Sequence, residues 1–277
     1  MPLTRLACTH CGHWHLWFEG SAPPQCHVCS DVRNALPENG FRFAGVAEVA
    51  AGARSVCEEV LPGVFGVRSE PQLGLGSTGW VIERADGNVA FEAAPWYDEA
   101  ALAFIAERGG LRVASCSHVH GMGALWQLQQ RFEPEVPMHV NALGDTKALR
   151  VTRPFDDVYE IAPGLVLHHV GGHYEGQCVL HDAAHNALFV GDTLKIDLHP
   201  DGTPRALSCH KAFHYCIPLT PAELRRYTKV FSQLPFEHVF TPFEHAAGVT
   251  RQHALALFDR LLAGVPSTEP IMMELLQ

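Results

Sequence analysis

Ser117-His118-Val119-His120-Gly121-Met122-Gly123 decides how this chain is read, because it sets two imidazoles one residue apart where a strand gives way to a loop. The strand is predicted over Leu111-Arg-Val-Ala-Ser-Cys116. Side chains alternate faces along a strand, so His118 and His120 are expected on one side, with both rings in reach of one ion. Two polar residues sharing the face of a half-buried strand make the same pattern. The rest of the chain has to separate those readings.

It does so at two further strand ends. Gly171-Gly172-His173 follows the apolar run Leu165-Val-Leu167, and Phe189-Val190-Gly191-Asp192-Thr193 closes another. His-x-His, then Gly-His about fifty residues on, then Gly-Asp about twenty further, resembles the metallo-β-lactamase superfamily. Leu61-Pro62-Gly63-Val64-Phe65 and Gly79-Trp80-Val81-Ile82 look like its opening strands, and Asn88-Val-Ala-Phe91-Glu92 like the next, so the likeness covers roughly residues 58 to 264. It implies an α/β fold, the αββα sandwich, with His118, His120, His173 and Asp192 at one rim as metal ligands.

The superfamily motif commonly runs His-x-His-x-Asp-His, whereas this chain places Met122 and Gly123 at the last two positions. Those positions serve a second ion in dinuclear relatives, so the resemblance implies a mononuclear site holding one zinc or iron. The resemblance also implies a closing histidine two residues after a proline. Thr241-Pro242-Phe243-Glu244-His245 puts Glu244 at that offset and His245 one place later, and iron accepts either. His210, in Ser208-Cys209-His210-Lys211, is read either as a substrate-binding residue or as a surface histidine.

Near the amino end, Cys8-Thr-His-Cys11 and Cys26-His-Val-Cys29 form C-x2-C-x14-C-x2-C, the spacing by which two knuckle turns present four thiolates to one metal. The segment resembles a rubredoxin-like or zinc-ribbon module, which implies zinc, with iron as the alternative. So small a knuckle buries little apolar surface, and structural zinc contributes on the order of 10 kcal/mol to such folding. Trp14, Trp17 and Phe18 are expected to form its small core or a docking face. The remaining cysteines, Cys57, Cys116, Cys178, Cys209 and Cys216, are scattered and read as free thiols.

A chain of 277 residues, 47% apolar, allows one sizeable domain and a small appendage, predicted as 1–45 and 46–277. The formal charge of -10 argues against a nucleic-acid partner. Met1 to Ala7 is too short an apolar run for a signal peptide, and no stretch of about 18 apolar residues would span a bilayer. A soluble, cytoplasmic protein without a membrane partner is expected. Ala85-Asp86-Gly87-Asn88 predicts a hairpin with positive φ at both turn positions. Asp98 to Arg108, Gly123 to Phe132, Thr220 to about Leu234 and Thr250 to Ala263 predict helices, the third opened by the capping box Thr220-Pro-Ala-Glu223. Residues 30–56 read as a linker.

The resemblance implies hydrolysis of a small ester, lactone, thioester or amide by a metal-bound hydroxide, with Asp192 ligating or orienting the nucleophile. Two alternatives stand beside it: an iron-dependent oxidoreductase fed by a rubredoxin-like centre, and a non-catalytic scaffold with a degenerate site.

Overall fold

The computed structural model describes every residue except 267, and the chain forms two compact units, Met1–Phe155 and Asp156–Gln277.

In the first unit, β1 (Leu3–Cys8), β2 (Trp14–Phe18) and β3 (Phe43–Gly45) make an antiparallel sheet in the order β2-β1-β3. The linker reading of residues 30–56 is therefore too plain. Phe43–Gly45 pairs with β1, and Val46–Gly52 winds into a short helix, α1, whose Val49 is buried. A five-stranded sheet follows in chain order: β4 (Arg54–Leu61), β5 (Val64–Glu70), β6 (Gly79–Ile82), β7 (Val89–Phe91) and β8 (Val113–Ser115). Only its β7–β8 pair is parallel, because α2 (Glu99–Glu107) fills the crossover between them. Asp98 caps α2 by accepting from the Ala101 amide, and Gly109 and Gly110, both at positive φ, end it. The hairpin between β6 and β7 is present, but positive φ falls on Gly87 and not on Asp86, since the Gly87 amide closes the turn onto the Arg84 carbonyl. Beyond β8 come α3 (Leu125–Phe132) and the short parallel pair β9 (Pro137–His139) and β10 (Arg153–Phe155).

Trp14 joins the small sheet to the rest of this unit. Its indole donates to the Pro95 carbonyl at 2.8 Å, and its ring packs 5.9 Å from Trp96 and 5.2 Å from Trp126, centroid to centroid. Trp17 and Phe18 meet edge to face at 5.6 Å and Phe18 stays exposed, so of the three aromatic residues Trp14 does the docking. A second seam lies at Gly74, where positive φ and the backbone of Cys11 and Gly12 leave no room for a side chain.

Among the described residues, the second unit holds a six-stranded sheet ordered β11 (Val158–Ala162), β12 (Leu165–His169), β13 (Cys178–Asp182), β14 (Ala187–Phe189), β17 (His238–Phe240), β18 (His245–Ala247). A three-stranded sheet pairs β15 (Lys195–Leu198), β16 (Pro204–Ser208) and β19 (Ile271–Met272). The 187–189 strand runs parallel to the 238–240 strand because α4 (Pro221–Phe231) lies in the connection. Both halves of the expected capping box at Thr220 and Glu223 form. From α4, Leu224, Tyr227 and Phe231 are buried, and from α5 (Arg251–Leu262), Ala254, Leu257 and Phe258. Phe231 and Phe258 meet edge to face at 5.2 Å, each fully buried and each contributing about 2–3 kcal/mol by its removal from water. No described helix is long and apolar enough to cross a membrane.

Replacing Trp14 with alanine is expected to cost about 3–5 kcal/mol through lost burial and the cavity left among Trp96, Trp126 and Pro95. Chemical denaturation followed by tryptophan fluorescence and circular dichroism measures it.

Candidate metal centres

The sulfurs of Cys8, Cys11, Cys26 and Cys29 gather in a buried cluster. Cys8 and Cys29 stand 3.8 Å apart, as do Cys11 and Cys26, too far for disulfides. Sulfurs at the corners of a tetrahedron with metal–sulfur bonds of about 2.3 Å are about 3.8 Å apart, so the spacing fits a four-thiolate ion. The knuckles hold by backbone hydrogen bonds, from the Gly12 amide to the Cys8 carbonyl and from the Ser30 amide to the Cys26 carbonyl. Cys26 is driven strongly toward the thiolate, by Cys11 first and then Cys29 and Cys8, with burial opposing and His15 assisting.

His118 and His120 come into ring contact, but not along a strand. The strand stops at Ser115, His118 is extended, and residues Val119–Met122 form a 3-10 turn that brings His120 back. Strand alternation is thus not what aligns the rings. They cross at 88°, with His118 Nε2 3.3 Å from His120 Nδ1. The Ser117 hydroxyl sits 2.8 Å from His118 Nδ1, so the ring's two nitrogens face different neighbours. Cys116 is buried and turns its thiol to the His118 carbonyl and to the Met138 sulfur.

Glu92 and Gly123 shape this turn. Glu92, buried and at positive φ, accepts the Ser117 amide at 3.2 Å, and its carboxylate occupies the space a side chain at position 121 would need. At Gly123, with φ at +33°, a Cβ would collide with the Ala93 carbonyl. Met122 is buried. The two departures from the superfamily motif are therefore built into the packing: position 123 admits only glycine, and a carboxylate at 122 would be buried.

In the second unit, Gly171 and Gly172 take positive φ and turn the chain after the Leu165–His169 strand, so that His173 faces Asp192. His173 Nδ1 lies 3.2 Å from the His210 carbonyl and can only donate there, which leaves Nε2 as the acceptor nitrogen, 3.5 Å from Asp192 Oδ2. Tyr227 pins the turn: its hydroxyl accepts the His173 amide at 3.0 Å and donates to the Gly171 carbonyl at 2.9 Å. Burial holds that phenol well above its ordinary pKa, so it stays protonated and able to donate. A tyrosine on the apolar stripe of α4 gave no sign of this role. Asp192 sits in a 3-10 turn, Gly191–Thr193, partly open to solvent.

His210 serves through its backbone carbonyl, while its buried ring packs edge-on against Phe213 at 5.1 Å. Glu244 and His245 part company. The Glu244 carboxylate accepts from the Thr241 hydroxyl and is raised in pKa chiefly by burial, with Asp192 and Asp197 adding their charge. His245 instead stacks on Phe240 at 4.4 Å and meets His238 Nδ1 at 3.2 Å. Burial and then His238 push its pKa down to about 4.

No family model matches the chain. An uncharacterized protein of Bacillus subtilis, YmaE, is 22% identical over 249 residues, covering 85% of this chain and 87% of its own. Among solved structures, the crystal structure of VMB-1 superposes with a TM-score of 0.55 at 18% identity, covering 76% of this chain and 99% of that one. The mono-zinc form of the metallo-β-lactamase FIM-1 from Pseudomonas aeruginosa gives 0.53 at 16%, covering 76% and 95%. A metallo-β-lactamase from Hirschia baltica gives 0.50 at 18%, covering 76% and 98%. This chain has the metallo-β-lactamase fold, and carries a buried four-cysteine cluster near its amino terminus.

Proposed function

We propose that this chain is a metal-dependent hydrolase acting on a small ester, lactone, thioester or amide, with one zinc or iron ion held by His118, His120, His173 and Asp192. What carries the reading is the state of the ring nitrogens. His173 has its Nδ1 proton committed to the His210 carbonyl and turns its acceptor nitrogen to Asp192, while His118 has Nδ1 beside the Ser117 hydroxyl and Nε2 beside His120. A hydrogen bond at one ring nitrogen fixes the tautomer and aims the other nitrogen's lone pair at an ion. The donor set of neutral imidazoles with one carboxylate fits either ion.

When bound, the ion supplies a Lewis acid that lowers the pKa of water to about 7 and polarises a carbonyl oxygen. The remaining tasks fall to the chain. Asp192, partly exposed beside His173, takes or orients a proton from the attacking water. Tyr227 and the His210 carbonyl keep the His173 ring from rotating. Of the two closing candidates we favour Glu244, whose carboxylate feels the charge of Asp192, over His245, which is engaged by His238 and Phe240. The resulting single-ion site suits activated carbonyls such as lactones and thioesters.

A second reading, an iron-dependent oxidoreductase supplied with electrons by the cysteine centre, draws support from the 3.8 Å sulfur spacing, which iron fills as well as zinc. Visible absorption of the protein as purified decides between them: no colour supports the hydrolase, and iron–thiolate absorption supports the redox protein.

His173→Ala is expected to lose one ion per chain and to reduce lactone or thioester hydrolysis to background, while the four-cysteine ion remains. Elemental analysis and a substrate panel check both. Glu244→Gln should weaken that ion's affinity by about 10–100-fold and His245→Gln should leave it within about threefold, as measured by competition with a chromophoric chelator. Gly123→Ala is expected to destabilise the protein by at least about 2 kcal/mol, from the disfavoured φ and the contact with the Ala93 carbonyl, in a denaturant titration.

A further inference from the structure

A second group of imidazoles lies in the first unit, apart from the residues treated above. His13, just before the strand, and His15, on it, flank Trp14; their rings meet each other, whereas Trp14 packs against Trp96 and Trp126. His27 joins them from the second cysteine knuckle. The three rings sit at mutual centroid distances of 5.0–5.1 Å, each nearly perpendicular to the other two. One nitrogen from each lies within 4.8 Å of the others. His13 is 3% exposed and His15 5%, and His13 Nδ1, His13 Nε2, His15 Nε2 and His27 Nε2 are all buried without a hydrogen-bond partner.

Four unsatisfied nitrogens in so small a volume are costly unless something joins them. One hydrogen bond joins only two of the three rings and cannot use a nitrogen from each at once. A cation can. At the rim, Asp145 Oδ1 stands 3.4 Å from His27 Nε2, a fourth and anionic donor at the end of the 3-10 turn Val140–Asp145.

We infer that His13, His15 and His27, completed by Asp145, form a second structural metal site for a borderline divalent cation such as zinc, beside the four-cysteine cluster. Three buried imidazoles are a donor set that zinc accepts, and Asp145, beside His27 at the rim, supplies a carboxylate for the remaining position. The site would staple three stretches of the same unit: the strand that carries Trp14, the knuckle at Cys26, and the turn ending at Asp145. Its charge also suits its neighbourhood. Four thiolates outweigh the charge of a divalent ion, whereas three neutral imidazoles and one carboxylate leave the second ion net positive, so the adjacent centres attract.

The test uses the full chain, stripped of metal and reloaded. Zinc titration with elemental analysis should show His27→Gln binding one ion fewer than the wild type. Cobalt loading of the same variant should keep the thiolate-to-cobalt absorption, which reports an intact cysteine centre. Equal zinc stoichiometry in variant and wild type would overturn the assignment. This difference is independent of how many ions bind elsewhere, including at His173. If His27→Gln loses the thiolate band as well, Asp145→Asn, altered at a surface position, takes its place. It should keep the stoichiometry and weaken one zinc by about tenfold, and unchanged affinity at every site would refute the proposal.

Discussion

A neutral imidazole has one lone pair to offer an ion, and a hydrogen bond at its other nitrogen decides which nitrogen carries it and holds the ring in place; the arrangement around His173 rests on that constraint. The His210 carbonyl fixes the proton on Nδ1, Tyr227 fixes the backbone that carries the ring, and the two glycines before it provide the turn that neither alanine nor a larger residue would permit. Gly172 shows how tight this is, since a Cβ there would strike the Tyr227 hydroxyl. The apolar stripe of α4 is thus more than core: it delivers a phenol hydroxyl that helps hold the histidine turn in shape. Core packing and site geometry are the same set of contacts at this point.

The turn carrying His118 and His120 obeys a comparable rule through different means. Its backbone is laced to residues 92–94 by the Gly121 carbonyl accepting from the Ala93 amide and the Ala124 amide donating to the Ala94 carbonyl. So close an approach excludes side chains at 121 and 123. Met122 and Gly123, which stand where the motif this chain resembles has an acid and a histidine, are then a matter of shape as much as of chemistry, because Met122 is packed in the interior and Gly123 has no space to spare.

Much of this was legible beforehand for identifiable reasons. Strands such as Gly79–Ile82 and Val89–Phe91, the capped helices at Asp98 and Thr220, and the paired cysteine knuckles each follow from short-range patterns that tertiary context did not override. The 3-10 turn at Val119–Met122 was not, because one glycine on either side of a methionine carries no periodicity. Glu92, Tyr227 and the histidines at 13, 15 and 27 were missed for a related reason: each becomes informative only when residues distant in sequence are seen to meet. Cys8-Thr-His-Cys11 drew attention to sulfur, and the imidazoles interleaved with the cysteines looked like ordinary polar residues.

The seam at Gly74 bears on how freely the amino-terminal segment could be exchanged. Backbone lies directly on backbone there, at Cys11 and Gly12, and Trp14 fills a slot lined by Trp96 and Trp126. Excising the first 45 residues as a portable cassette would uncover three indoles at once, one on the fragment and two on the remainder. A transplant between proteins would have to carry the loop around Gly74 and both partner tryptophans with it, which makes the segment hereditary baggage of its host sheet and a poor candidate for shuffling.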